Sequence, residues 1–239
     1  MPDAIIGMLG WVGVVALGGL AAALLMRGRV RWGWFVAALL LMAVYDAVLT
    51  RGYGHIPLSF GASDWNWEGK VMAVLLSLAV ASLPIIGWRR VGLTLKQDRR
   101  GLTGALVLSG ALAALFLGLA LILPGQGFDI DSLAFQLTMP GLDEELFYRG
   151  VLLLMLNEAF GRPVRILGAP MGWGALLSSL AFGLTHALGC TDGGFTFSPL
   201  LMASTGGAAL LLVWLREKTG SVLLPILLHN YGNAIFMLV

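Results

Sequence analysis

The chain has 239 residues; 58% are hydrophobic, only 12% are charged, and the formal net charge is +2. A soluble domain carries about 25% charged residues, so the composition excludes an ordinary water-soluble enzyme, and so small a net charge gives no footing for a nucleic-acid partner. The single cysteine, Cys190, permits no internal disulfide.

Eight apolar runs predict membrane-spanning helices, at about 4–26, 33–50, 70–88, 102–123, 134–156, 173–190, 197–215 and 221–238, with ends good to a few residues. Runs this long exclude an alternating barrel pattern, and the backbone must satisfy itself within lipid, so helices are expected. The first run is followed by arginines rather than by a small-residue cleavage site, which argues against a cleavable signal peptide. The linkers carry breakers and charge: Arg27 to Arg31, Pro57 to Glu68, Arg89 to Arg100, Pro124 to Asp131, Arg162 to Pro170, and Arg216 to Gly220. The whole chain is expected to form one membrane domain, 1–239, with four N-terminal spans over about 1–123 and four chemistry-bearing spans over about 131–239.

Positive charge alternates between the linkers. Arg27, Arg29 and Arg31 follow span one; Arg89, Arg90, Lys96, Arg99 and Arg100 follow span three. Arg162 and Arg165 follow span five, and Arg216 and Lys218 follow span seven. The intervening loops hold only Arg51 and Lys70 beside Asp64, Glu68, Asp129, Asp131 and Asp192. The positive-inside bias then puts both termini outside the cytoplasm. Trp32, Trp34, Trp65, Trp67, Trp88 and Trp173 fall near span ends, as interfacial anchors do. The first half carries little chemistry. Asp46 lies close enough to Arg51 to reach the interface, His55 is a solvated loop residue, and Gly18 to Ala23 and Gly110 to Gly118 are expected to allow close helix packing.

The second half holds three polar clusters inside apolar runs: Glu144-Glu145-Leu146-Phe147-Tyr148-Arg149, Phe182-Gly183-Leu184-Thr185-His186, and His229-Asn230-Tyr231-Gly232-Asn233. An ionisable group at the bilayer centre costs at least ~2.5–3.5 kcal/mol, so such groups face a protein interior and mark function. Glu145 and Arg149, four apart, share a face and can pair; Glu144 is turned about 100° away and is left free to act. Pro140-Gly141 is expected to break or start a helix, placing Asp143 and Glu144 at a helix N-terminus. Phe182 with His186, and His229 with Asn233, are again four apart. These are the parts of a hydrolytic site: Glu144 with His186 to hold and deprotonate a water, His229 and Asn233 to donate to an oxyanion. Ser178, Ser179, Thr185, Ser204 and Thr205 are expected to be packing residues, not nucleophiles. A zinc site built on His186, His229 and a Glu is the rival, but the His-Glu-x-x-His helix motif is absent, and the expectation is no metal and no cofactor.

The series Glu-Glu-x-x-x-Arg, Phe-x-x-x-His and His-x-x-x-Asn resembles the CAAX protease and bacteriocin-processing family of intramembrane glutamic endopeptidases. The run from Pro140 to Gly150 resembles that family's first block, and Lys218-Thr219-Gly220-Ser221 leading to Pro225 and His229 its last. The resemblance covers about residues 131–239 and implies an all-α fold of eight membrane helices that hydrolyses a peptide bond without a covalent intermediate or a required metal. It implies Glu144 and His186 as the water-activating pair, His229 and Asn233 as the oxyanion site, and Glu145 and Arg149 as support. The expected substrate is a membrane-anchored protein or peptide, and the expected location is a bacterial inner membrane. Two other readings are a non-catalytic immunity or scaffold protein of the same fold and a transporter with a proton-relay carboxylate. The intact polar set disfavours the first, and the lack of a visible inverted repeat disfavours the second.

Overall fold

The computed structural model describes residues 2–26, 29–51, 65–123, 125 and 127–239. The expectations attached to Arg27, His55, Pro57, Asp64 and Pro124 fall outside the described residues. Helices α1 (Pro2–Leu25), α2 (Trp32–Arg51), α3 (Trp67–Ala81) and α4 (Arg99–Ile122) form the first half of the chain. In the second half α5 (Ile130–Pro140) continues without interruption into a π-helix, π1 (Gly141–Leu152), and then into α6 (Leu153–Phe160). After these come α7 (Trp173–Ala187), α8 (Pro199–Thr219) and α9 (Leu223–Leu238). With residues 130–160 taken as one rod, the described residues form eight helical rods at the expected positions. Four helices are individually long and apolar enough to cross a membrane: Asp3–Leu25, Trp32–Arg51, Arg99–Ile122 and Pro199–Thr219; α9 is apolar but shorter. The protein is an all-α polytopic membrane protein.

The helix ends follow local chemistry. Asn66 caps α3 by accepting from the Gly69 amide at 2.8 Å, and Asp129 caps α5 by accepting from Ser132 N at 2.8 Å. Those bonds from Ser132 hold the Asp129 carboxyl below its ordinary range. Helix α3 stops at Ala81, seven residues short of the expected end. Pro84 lacks the amide that would continue the ladder and disfavours helical backbone at Leu83. Helix α7 stops at Ala187 because residues 188–197 turn into a β-hairpin, β3 (Leu188–Thr191) with β4 (Gly194–Phe197), in register Leu188 to Phe197. A similar hairpin, β1 (Val164–Ile166) with β2 (Ala169–Met171), lies in the 162–170 linker. Both have positive φ at the two turn residues, Asp192-Gly193 and Leu167-Gly168, as tight two-residue hairpin turns require.

Packing is built on small residues. A Cβ on Gly183 of α7 would lie 2.7 Å from Met202 and 3.1 Å from Gly206 of α8, so these two helices cross with their backbones in near contact, as membrane helices do where small residues meet. Gly18 and Gly19 of α1 face Leu177 and Phe35 in the same way, whereas Gly110 and Gly118 of α4 have open space beside them. The expectation for that second stretch fails because α4 is peripheral: only Gly101, Ala105 and Ala120 along it are buried. The main apolar core runs through α1, α2, α3, π1, α6 and α7, and α9 closes the bundle against α4, α5 and π1.

Candidate active site

The π-helical segment carries the carboxylates. Pro140 does not break the rod; the backbone stays helical through Pro140 and Gly141, and the hydrogen-bond ladder widens instead. The side chain of Asn230, from α9, supports this point. Its Oδ1 accepts from Gly141 N at 2.7 Å and its Nδ2 donates to Thr138 O at 3.3 Å, so groups left over where the ladder changes step are paired. Gly141 is required for this approach, since a Cβ there would lie 2.5 Å from Asn230 Oδ1 and 2.7 Å from Ile226 O. The expected helix N-terminus at Asp143 and Glu144 is therefore absent.

Glu145 is fully buried. Its Oε1 lies 3.1 Å from Arg149 Nη1 and accepts from His229 Nδ1 at 2.7 Å. The Arg149 guanidinium also lies over the Phe182 ring, 4.1 Å from its centroid, a favourable cation–π arrangement. The expected Glu145–Arg149 pair is thus present, with His229 as a third member.

Glu144 is not the free carboxylate expected from local helix geometry. Lys70, one turn into α3, sends its Nζ to within 2.5 Å of Glu144 Oε1 and 3.0 Å of Asp143 Oδ2. Asp143 is fully buried beside it. The reason is tertiary: α3 packs directly on π1 and brings in a cation 74 residues away in sequence. Among the described residues Glu144 Oε2 takes no hydrogen bond, and it lies 3.7 Å from His229 Nε2.

The histidines are oriented by acceptors. His186 Nδ1 lies 2.9 Å from Phe182 O. A carbonyl can only accept, so Nδ1 carries a proton, and in the neutral ring Nε2 then has the lone pair. His186 is exposed, on the last turn of α7, not several residues inside a span as expected, because α7 ends early. His229 Nδ1 donates to a carboxylate in the same way, so donation from Nε2 as well requires both ring protons. Asn233 Nδ2 donates to Gln136 Oε1 at 3.0 Å. Phe182 sits among these groups, with ring centroids at 4.6 Å from His186, 6.0 Å from His229 and 5.2 Å from Tyr148.

Glu144, Arg149, His186, His229 and Asn233 all line one cavity of about 740 Å³; Glu145 stands behind it, holding His229. Lys70, Gln136 and Phe182 share the lining, and the rest is largely apolar. Ser204 and Thr205 also reach it, but their hydroxyls donate to Leu201 O, and Ser178 donates to Tyr148 O. All three hydroxyls are thus spent on backbone carbonyls. Lys70, Asp143, Gln136 and Asn230 were not singled out from sequence as site residues. Lys70 had one signal, a lysine at the edge of an apolar run, and Gln136 another, a lone amide within one. Among the described residues no three His, Cys, Asp or Glu side chains form a metal-binding group. Between Asp143 and Glu144 the cation is the Lys70 ammonium, so a divalent ion there would have to displace it.

Residues 126–235 match the protein family described as type II CAAX prenyl endopeptidase Rce1-like. The matched stretch holds the carboxylate and both histidines of the cavity together with Gln136 and Asn233, whereas Asn66 and Lys70 lie outside it. Comparison with curated proteins and with solved structures gives no match.

Proposed function

We propose, for a chain whose residues 126–235 belong to the Rce1-like family of CAAX prenyl endopeptidases, that it is a glutamic-type endopeptidase that cleaves a peptide bond of a membrane-associated protein or peptide by direct attack of water. The family supports an intramembrane protease; the assignment of roles to residues is our reading of the geometry.

The observation that carries it is the asymmetry of Glu144. One carboxylate oxygen is held by Lys70 and the other has no hydrogen-bond partner among the described residues, in a cavity wall that also presents His186 and His229. A carboxylate fixed at one oxygen is oriented at the other. Glu144 Oε2 and the His186 Nε2 lone pair hold the attacking water, and Glu144 takes its proton as the oxygen bonds to the scissile carbonyl carbon. The carbonyl oxygen becomes an oxyanion and accepts hydrogen bonds from doubly protonated His229 at Nε2 and from Asn233. One such donor is typically worth ~3–4 kcal/mol of transition-state stabilisation. The proton on Glu144 then passes to the amide nitrogen as the C–N bond breaks, releasing an amine and a carboxylic acid. Glu145 and Arg149 position His229 and make no contact with the reacting atoms in this scheme.

We further propose that the chain is a single membrane domain lying in a bacterial inner membrane, with both termini outside the cytoplasm; the alternation of basic linkers supports this. The test is turnover by the purified, lipid-reconstituted protein. A set of single-span reporter polypeptides with randomised juxtamembrane sequences should be cut by the wild type and left intact by Glu144→Gln. Equal cleavage by both proteins refutes the assignment.

A further inference from the structure

The hydrolase reading leaves open from which side a substrate arrives, and the inference here rests on that reading. We infer that the cavity opens on the face of the bundle opposite the basic loops, and that its substrate is the extracytoplasmic juxtamembrane stretch of a polypeptide anchored in the outer leaflet by an apolar segment.

The four basic linkers are tied together at one end of the bundle. Arg31 donates its amide to Ala159 O at 3.0 Å, and both Arg31 and Arg90 pair with Glu158. Arg216 Nη2 donates to Arg90 O at 2.7 Å, the Asp98 amide donates to Thr219 O at 2.8 Å, and Arg162 pairs with Glu217 at 2.9 Å. Linkers 29–31, 89–100, 162–165 and 216–218 therefore form one continuous basic face. A face built from all the positively charged linkers is the cytoplasmic one.

The cavity lies toward the other end. Lys70 is in the first turn of α3, a helix that runs toward the basic face. Gln136 is in the second turn of α5, which runs the same way. His186 is in the last turn of α7, which runs away from that face; Thr205 is in the second turn of α8, and Asn233 near the end of α9. These five residues lie in the halves of their helices remote from the arginines, and Arg149, Leu212, Leu228 and His229 carry the cavity past the middle of the bundle. With thirteen helical steps from Trp173 to His186, His186 stands ~20 Å above the start of α7, in a hydrocarbon layer about 30 Å thick.

The cavity is also apolar on its flank. Leu112 and Phe116 of α4 line it opposite Ala208 and Leu211 of α8. Beyond this line both helices present exposed apolar side chains, Leu115 and Leu121 on α4 and Leu200 and Leu201 on α8. The hydroxyls of Ser204 and Thr205 on this wall are satisfied by their own helix, so an apolar segment can lie against it without stranding a polar group. A substrate anchored in that leaflet would keep its apolar part against α4 and α8 while its first polar residues reach Glu144.

Side-specific labelling tests the access without requiring turnover. In a Cys190→Ser background, Trp65→Cys at the cavity mouth and Lys96→Cys on the basic face are expressed as full chains in bacterial inner membrane. A membrane-impermeant maleimide should label Trp65→Cys in spheroplasts, and Lys96→Cys only in inverted vesicles. Labelling of Trp65→Cys only in inverted vesicles, or from neither side, overturns the inference. The second arm uses randomised single-span reporters placed in both orientations. Cleavage confined to the stretch outside the cytoplasm, and abolished by Glu144→Gln, is the expected result; cleavage confined to the cytoplasmic stretch overturns it. Outward labelling with neither orientation cut would support the access and count against the hydrolase.

Discussion

Lys70 Nζ lies 2.5 Å from Glu144 Oε1 and 3.0 Å from Asp143 Oδ2, so the carboxylate proposed as the general base is held by a residue outside the family-matched segment. Two carboxylates side by side in a buried site are tolerable only with a cation between them. Removing that cation while keeping its volume, Lys70→Met, leaves both acids unpaired. The expected cost is ~3–5 kcal/mol of stability, read as a lowered unfolding midpoint in detergent, together with loss of peptide cleavage. Adding Asp143→Asn to Lys70→Met should return part of the stability and none of the activity. A Lys70→Met protein with wild-type stability and turnover would show that the ion pair has no role.

The two glutamates separate by what each substitution strands. Glu144→Gln leaves Lys70 still paired with Asp143, so a folded protein with turnover lowered by at least ~100-fold is expected, in line with loss of a general base. Arg149→Ala strands the fully buried Glu145 and removes the cation over Phe182. It should lower stability by ~3–5 kcal/mol as well as activity. Thermal unfolding of the two variants beside their cleavage rates checks this. A stable, inactive Arg149→Ala protein beside an unfolded Glu144→Gln protein would reverse the assigned roles.

Much of this arrangement was legible from sequence because it depends on helix periodicity and on the cost of charge in lipid. The eight rods follow from the length of the apolar runs, and the Glu145–Arg149 pair and the close approach of Phe182 to His186 follow from spacing of four along a helix. What spacing cannot supply is which helix packs on which. Lys70 read as a loop charge at a span edge, and nothing local to Glu144 announces a lysine from α3. Pro140-Gly141 was misread because a proline normally ends a ladder; here Asn230, from α9, pairs the groups left over. The hairpin after His186 had a visible signal, Asp192-Gly193, that the long apolar run around it obscured. Glu144, His186, His229 and Asn233 stand out together as polar groups within apolar runs, and all four line one cavity.

The junction between α5 and π1 gives a prediction about backbone geometry. Gly141→Ala would force a Cβ to within 2.5 Å of Asn230 Oδ1 and 2.7 Å of Ile226 O. Such crowding typically costs ~1–3 kcal/mol. Asn230→Ala removes the acceptor for the buried Gly141 amide, at a cost of ~1–3 kcal/mol. Either change should also lower turnover, because the same segment aims Glu144. Because both act at one contact, the double variant should lose less than the sum of the two. Strict additivity in unfolding free energies would show that Asn230 does not act through Gly141.

Metal dependence separates the water-activation scheme from its zinc rival. In the proposed scheme Glu144 and His186 hold a water without a metal, and the position between Asp143 and Glu144 is taken by the Lys70 ammonium. His229 is bound through Nδ1 to Glu145, which is the usual way to orient a zinc-bound histidine as well, so ring orientation alone does not separate the two schemes. Chelation does. Cleavage by the reconstituted protein should persist after prolonged treatment with a strong chelator such as EDTA and dialysis into chelated buffer, with a rate within about twofold of the untreated sample, far from the ≈ 10–100-fold losses that disturbing a catalytic zinc shell brings. Added zinc should give no stimulation. Activity that disappears on chelation and returns with stoichiometric zinc would assign His186, His229 and a carboxylate to a metal, and Glu144 would then be its base or its ligand.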